Sequence, residues 1–323
     1  MSDGWLAVYG DIIDYLKHFY PKYESILIGC RIGKYVSYDC CEYNIIALRS
    51  NDNNKTVNKE KSLFSHLNKK KLVISFIDTE KFIKSYDTVF LNYVSLTNVF
   101  FKNNQENYFE KKICYNQINM KLFVKRKLFA LALENIQINK ELSNGKIDQN
   151  LSSFYTKMLC FEMLELMIQL YLNEMPSPSH LKYQINAIRE SNIKNKEDAD
   201  ILLDILDIDQ SNVSSIERSM KSLIFLLKVV KISSLNLDLL STKLDYFKKK
   251  SMYVDANLLI HSFIKNQSFE KSYIKNYIKI LKYTLNIKNK DKIFISKELE
   301  SIFDIIKNWI ENSYCITIAC SIS

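Results

Sequence analysis

Glycine and proline are scarce in this chain of 323 residues, with 5 of one and 3 of the other. That scarcity excludes a sandwich or barrel rich in hairpins and a glycine-rich phosphate loop, and it favours long helices with few tight turns. No Cys-x-x-Cys pair occurs among the 7 cysteines, and the 4 histidines lie far from them, which argues against a zinc site. The odd cysteine count predicts free, buried thiols in a reducing, cytoplasmic compartment. No apolar run is long enough for a membrane span, and no membrane partner is expected. The most apolar helical stretch, Leu223 to Val230, is closed by Lys221 and Lys231. Met1-Ser2-Asp3-Gly4 leads straight into an amphipathic helix, so no signal peptide is expected. The ending Cys320-Ser321-Ile322-Ser323 loosely fits a prenylation box, but a chance cysteine explains it better. Neither a Gly-x-Ser-x-Gly elbow nor a Gly-Lys-Ser loop is present.

What is there is a chain with 47% hydrophobic residues, enough for a sizeable core and two domains. Tyr, Phe, Ile, Lys and Asn are abundant, a bias that an AT-rich genome produces without selection. The formal charge is +9, spread mostly along helical stretches. Two basic runs stand out, Lys69-Lys70-Lys71 and Lys248-Lys249-Lys250. A basic balance permits a nucleotide or RNA partner, although general solubility accounts for both runs more simply.

Periodicity predicts a helix over 5–20, with Trp5, Val8, Ile12, Leu16 and Phe19 on one face and Pro21 at its end. Short strands follow at Ser25 to Ile28, Tyr43 to Leu48 and Leu72 to Ile77. A polar loop is expected over 50–60, and a short helix from Thr79 through Tyr86. Thr88 to Val99 fits helix or strand. From Lys121 onward the pattern is helical almost throughout. Helices are expected over 121–142, 151–173, 181–188, 198–207, 213–231, 236–249, 251–265, 269–285 and 296–313. The apolar faces of 151–173 suggest the centre of a bundle. The fold class is therefore α+β, a small mixed β-sheet module followed by a large all-α helical bundle. The domains are 1–118 and 119–323.

The chemistry of the first part centres on residues 26 to 46. Ile26-Leu27-Ile28 runs into Gly29-Cys30, and a second apolar strand opens with Glu42-Tyr43-Asn44 and continues as Ile45-Ile46-Ala47-Leu48. Side chains at alternate strand positions face the same way, so acids spaced like Glu42 and Asn44 would hold one cation between them. Cys30 is isosteric with serine but a weak donor. Taken alone, Gly29-Cys30 is better explained by a glycine that merely ends a strand, since such turns are common. From Gly29 to Glu42 is thirteen positions, with Gly33 inside the interval.

This layout resembles the nucleotidyltransferase superfamily that includes DNA polymerase beta and the kanamycin nucleotidyltransferases. Its pattern is an apolar strand, Gly-Ser, roughly a dozen residues, then Asp-x-Asp in a second apolar strand. The resemblance covers roughly residues 5 to 100. It implies nucleotide binding at Gly29 and Cys30 and metal binding at Glu42 and Asn44, with magnesium brought by a nucleoside triphosphate. It also implies a third acid near the start of the strand Leu72 to Ile77, where Val73 stands. Asp78 lies at the far end of that strand, where an N-cap is the simpler role. An acid therefore occupies only one of the three expected places, and two-metal transfer needs anionic oxygens at all of them. No catalytic residue is assigned.

Leu151 to Leu181, with the turn Pro176-Ser177-Pro178-Ser179, is similar to the helical domain behind the catalytic module of microbial, especially archaeal, nucleotidyltransferases. An ordinary proline stop explains the turn as well. Related bundles of the HEPN type are ribonucleases when a helix carries Arg, four to six residues, then His, and neither His180 nor His261 has such an Arg. Both are expected to be structural, His180 as a polar turn residue and His261 as packed or half-exposed. Lys271 to Tyr283 mixes basic and aromatic residues, as an RNA-binding surface would. Tyr273, Tyr277 and Ile280 also fall at helical spacing, and a core stripe is the expectation.

The expected function is that of a nucleotidyltransferase-fold protein with eroded metal ligands, non-catalytic, binding nucleotide, RNA or a protein partner. Two alternatives stand beside it. One is an active enzyme that transfers a nucleoside monophosphate with magnesium through Glu42 and a further acid. The other is a scaffold that binds a protein partner through its helical region, with the cleft at Gly29 filled by Tyr35 or Tyr43.

Overall fold

A computed structural model describes residues 3–21, 23–28, 38–49, 61–68, 70–78, 99–101, 108–172, 176–191, 196–208, 210–230, 234–267 and 271–312. The chain divides into two compact units, Met1–Met120 and Lys121–Ser323.

Unit 1 opens with α1, Asp3–Phe19, and then β1, Glu24–Ile28. β2 is Tyr43–Arg49, β3 is Lys61–Leu67, β4 is Lys70–Asp78 and β5 is Val99–Phe101. They form one five-stranded mixed sheet in the order β3-β4-β2-β1-β5. β2 runs antiparallel to β1 and parallel to β4, while β3 and β5 pair antiparallel at the two edges. The sheet is larger than the three expected strands. β3 carries no strand signature of its own, because Lys61 to Leu67 has no clean alternation, and Leu63 remains 43% exposed at the edge. Asn68, beyond the end of β3, has φ 46°, a conformation asparagine tolerates better than most residues. The predicted loop over 50–60 and the predicted helix from Thr79 lie outside the described residues.

Period-two alternation sorts the central strands. Tyr43, Ile45 and Ala47 of β2, with Leu72 and Ile74 of β4, pack against Ile12, Ile13 and Leu16 of α1. Ile46 and Leu48 alternate with them and are also buried. A strand buried on both faces reads as a continuous apolar run, which Ile45-Ile46-Ala47-Leu48 does. Each such side chain contributes about 1.5–3 kcal/mol by leaving water.

Among the described residues nine further helices follow. α2, Tyr108–Ser143, crosses the division between the units. It begins at Tyr108, not at Lys121, because Asn116 and Asn119 interrupt the apolar period without breaking the helix. Its end is closed at Gly145, φ 67°, with the Lys146 N–H donating to the Glu141 carbonyl.

α3, Gln149–Leu172, starts where the Asp148 carboxylate accepts from the Leu151 N–H at 2.8 Å. Its buried residues occupy every side, which places it at the centre of unit 2. Around it lie α4 (Leu181–Glu190), α5 (Lys196–Leu206), α6 (Val213–Val229), α7 (Ser234–Lys249), α8 (Tyr253–Asn266), α9 (Lys271–Thr284) and α10 (Lys292–Asn312). Tyr246 and Phe247 of α7 meet edge to face, and Phe247 is fully buried.

α9 corrects one expectation. Tyr273 is 42% exposed and stacks on Tyr277 at 6.1 Å, so the tyrosines do not form the core stripe. Ile274 and Leu281 do, continued by Leu285 just past the helix end. Among the described residues no helix is long and apolar enough to cross a membrane.

Candidate functional site

The strand register brings the sequence-derived positions of unit 1 into one row. Ile28, the last residue of β1, lies opposite Asn44 of β2, and Asn44 lies beside Val73 of β4. Glu42 sits just before β2 and is half-buried. The Asn44 Nδ2 donates to Glu42 Oε1 at 3.5 Å, a long hydrogen bond. Gly29 and Cys30 follow Ile28 in the chain but lie outside the described residues, as does Tyr35. Tyr43 belongs to the opposite face of the sheet. It is 8% exposed, meets Tyr9 edge to face at 6.2 Å, and has the Lys70 ammonium 5.8 Å from its ring centre.

The donor chemistry of this row is thin. Glu42 offers a carboxylate, Asn44 the carbonyl oxygen of an amide, and Val73 nothing. Among the described residues no three His, Cys, Asp or Glu side chains come together to hold a metal ion. Two-metal transfer requires several anionic oxygens around the ions, and among the described residues of this row only Glu42 offers one.

Unit 2 holds a cluster that sequence reasoning missed. Lys157 of α3 is 2% exposed and donates to the carbonyl of Leu206, the last residue of α5, and to Asp207 Oδ2 at 3.2 Å. A cation there complements the negative end of the α5 dipole. Asp207 has φ 57° and also receives Lys288 at 2.7 Å and Lys290 at 3.3 Å. Lys290 reaches Glu298 at 2.6 Å. Burial lowers the Lys157 ammonium to about 8, against the pull of Asp207. Burial alone would raise the Asp207 carboxyl, but the lysines around it hold it below its ordinary value. Cys160, one turn along α3, is fully buried, and burial pushes its thiol well above the usual range. That marks an inert structural cysteine.

The two histidines are internal. His261 of α8 is fully buried, lies stacked 6.0 Å from Phe161, and gives its Nδ1 proton to the Asn257 carbonyl at 3.0 Å. Burial lowers its pKa to about 3, so the ring is neutral at physiological pH. His180 is 1% exposed at the N-cap of α4, a turn residue as expected but enclosed rather than on the surface. No short sequence motif announces the cluster. A lysine inside the apolar run Leu151 to Leu170 was the available signal.

No family model matches the chain, and no curated protein matches it. Among solved structures it is similar to a nucleotidyltransferase-like protein from Exiguobacterium sibiricum 255-15, at 10% identity, with 91% of this chain and 90% of that chain covered and a TM-score of 0.34. A superposition that loose carries no weight for the chemistry of either unit.

Proposed function

We propose that residues 1–118 form a nucleotidyltransferase-like domain whose metal site has eroded, and that 119–323 form its helical bundle domain. The protein acts by binding a nucleotide, an RNA or a protein partner and does not transfer nucleotide. The observation that carries this reading is the register of β1, β2 and β4. It aligns Ile28, Asn44 and Val73 in adjacent strands, with a neutral amide and a valine where acids would be needed. Glu42 leans on Asn44 and is left as the single acid of the row. One carboxylate and one amide hold a magnesium ion weakly, and they do not activate an attacking hydroxyl.

Calorimetric titration with ATP and magnesium, paired with a radiolabelled transfer assay, tests this. The expected result is weak nucleotide binding at most and no transfer. Tight metal binding that Glu42→Gln abolishes, together with turnover, would sink the non-catalytic reading and favour an active enzyme. The double replacement Asn44→Asp with Val73→Asp sharpens the test. It is expected to raise magnesium affinity at least tenfold, because it restores two anionic ligands.

A specific observation favours RNA as the partner of the helical domain. Tyr273 and Tyr283 of α9 are 42% and 56% exposed on a helix that also carries Lys275, Lys279 and Lys282. Exposed rings among lysines offer stacking faces and phosphate contacts together. Gel-shift measurements with Tyr273→Ala and Tyr283→Ala check it. Unchanged affinity for single-stranded RNA in both variants would remove this reading.

A further inference from the structure

Within unit 2 a polar recess of about 330 Å³ opens where the segment after α5, the first turn of α6, α8 and the end of α9 meet. Its wall carries three cations, Arg218, Lys282 and Lys288, against one carboxylate, Asp207. That carboxylate is already engaged from the interior side by Lys157 and Lys290. The recess therefore has a surplus of positive charge. Lys288 is committed to Asp207 and Gln210, each at 2.7 Å. Lys282 donates to Asn289 Oδ1 and Arg218 spends one donor on Asn286 Oδ1 at 2.9 Å, but an ammonium has three donors and a guanidinium five.

The first turn of α6 adds to this field. Asn212 and Ser215 form a capping box that satisfies their own two N–H groups. Val213 and Ser214 have N–H groups that such a box does not reach, at the positive end of a 17-residue helix.

A separate observation points to a ligand. Asn257 of α8 lines the recess and is 1% exposed. Its Nδ2 donates to Ser211 Oγ at 2.7 Å, while its Oδ1 has no donor among the described residues. A buried amide oxygen without a donor is uncommon in a folded protein. A hydroxyl or amine arriving from outside would complete it. An anion alone would not, because Oδ1 only accepts.

We propose that this recess binds a small phosphorylated, hydroxyl-bearing molecule, with the phosphate at Arg218, Lys282 and the α6 N-terminus and a hydroxyl donating to Asn257 Oδ1. The volume suits a sugar phosphate or one nucleoside monophosphate and falls at the small end of ligand pockets. The site is independent of Glu42 and Asn44 and of the function proposed above for the sheet.

Calorimetry on the full chain, with ribose 5-phosphate, inorganic phosphate and ribose as probes, tests the proposal. Ribose 5-phosphate is expected to bind saturably, one per chain, and more tightly than either fragment. Arg218→Gln and Lys282→Gln should each weaken it tenfold or more, while Lys250→Gln, at an exposed lysine elsewhere, leaves it unchanged. Circular dichroism of each variant confirms that the fold persists. Three results would overturn the proposal: no saturable binding, inorganic phosphate binding as tightly as ribose 5-phosphate, or binding only of an RNA oligonucleotide. Loss of the binding in Glu42→Gln would place the ligand at the sheet and equally overturn it. Failure of ATP to bind at the sheet leaves these expectations standing, so the two readings fail separately.

Discussion

Among the described residues the two units differ in where they place charge. In unit 1 both faces of β2 are apolar, and Glu42 and Asn44 stand at the strand's opening end. In unit 2 charge lies inside, with Lys157 at 2% exposure beside Asp207, Lys290 and Glu298. The difference follows from how each architecture satisfies its backbone. A sheet closes its hydrogen bonds between strands, and its interior needs no charge. A helix ends with carbonyls that lack intrahelical donors, and when that end is buried something must supply one. Lys157 does so for α5, and its charge then requires Asp207.

Removing the counter-ion is the strongest way to break the comparison. Asp207→Asn keeps a residue that tolerates φ 57° but removes the charge facing three lysines. Stranding a buried ammonium is expected to cost about 4 kcal/mol. Denaturant unfolding followed by Trp309 fluorescence in a Trp5→Phe background reads the effect in unit 2. A loss under about 1 kcal/mol would show that the cluster does not hold the bundle together.

The matching change in unit 1 is apolar. Leu72→Ala opens a cavity beside α1, at a residue with no exposed surface, and should cost about 3 kcal/mol. The complementary single-tryptophan variant, Trp309→Phe, reports it. A neutral outcome would mean that α1 collapses onto the gap.

Acid separates the units next. His261 has its pKa depressed to about 3, so below its ordinary 6.5 the unfolded chain binds a proton that the folded chain does not. Stability is therefore fully present above pH 6.5 and falls as pH drops from there toward 3. From pH 6.5 to 5 the loss is about 2 kcal/mol, and His261→Leu should remove that slope. An unchanged slope in the variant would contradict a neutral buried ring. The smallest effect belongs to Lys70 and Asp11, 2.7 Å apart but 26% and 29% exposed. Lys70→Gln should cost under about 1 kcal/mol, and the cost should shrink further in high salt.

These contrasts also mark what the sequence could say. The three inner strands were legible because Ile26-Leu27-Ile28, Ile45 to Leu48 and Leu72 to Ile77 are apolar runs bounded by polar residues. The edge strand β3 was not, because its partner β4 decides it and its own residues alternate poorly. The expected face of α9 was displaced by one residue. Tyr273, Tyr277 and Ile280 and the stripe Ile274 to Leu281 have similar spacing, and packing chose the aliphatic one. The row of Ile28, Asn44 and Val73 rests on pairings that local pattern only suggests. The charge cluster had no legible pattern at all. Lys157, Asp207, Lys290 and Glu298 come from separate segments, and only folding assembles them.

The helix α3 has a consequence for how unit 2 can be cut. Its side chains are covered from all directions, so no smaller set of its neighbours shields it from water. Fragments that lose an outer helix should therefore aggregate instead of yielding a trimmed bundle. The unit is expected to gain and lose its structure as one cooperative block.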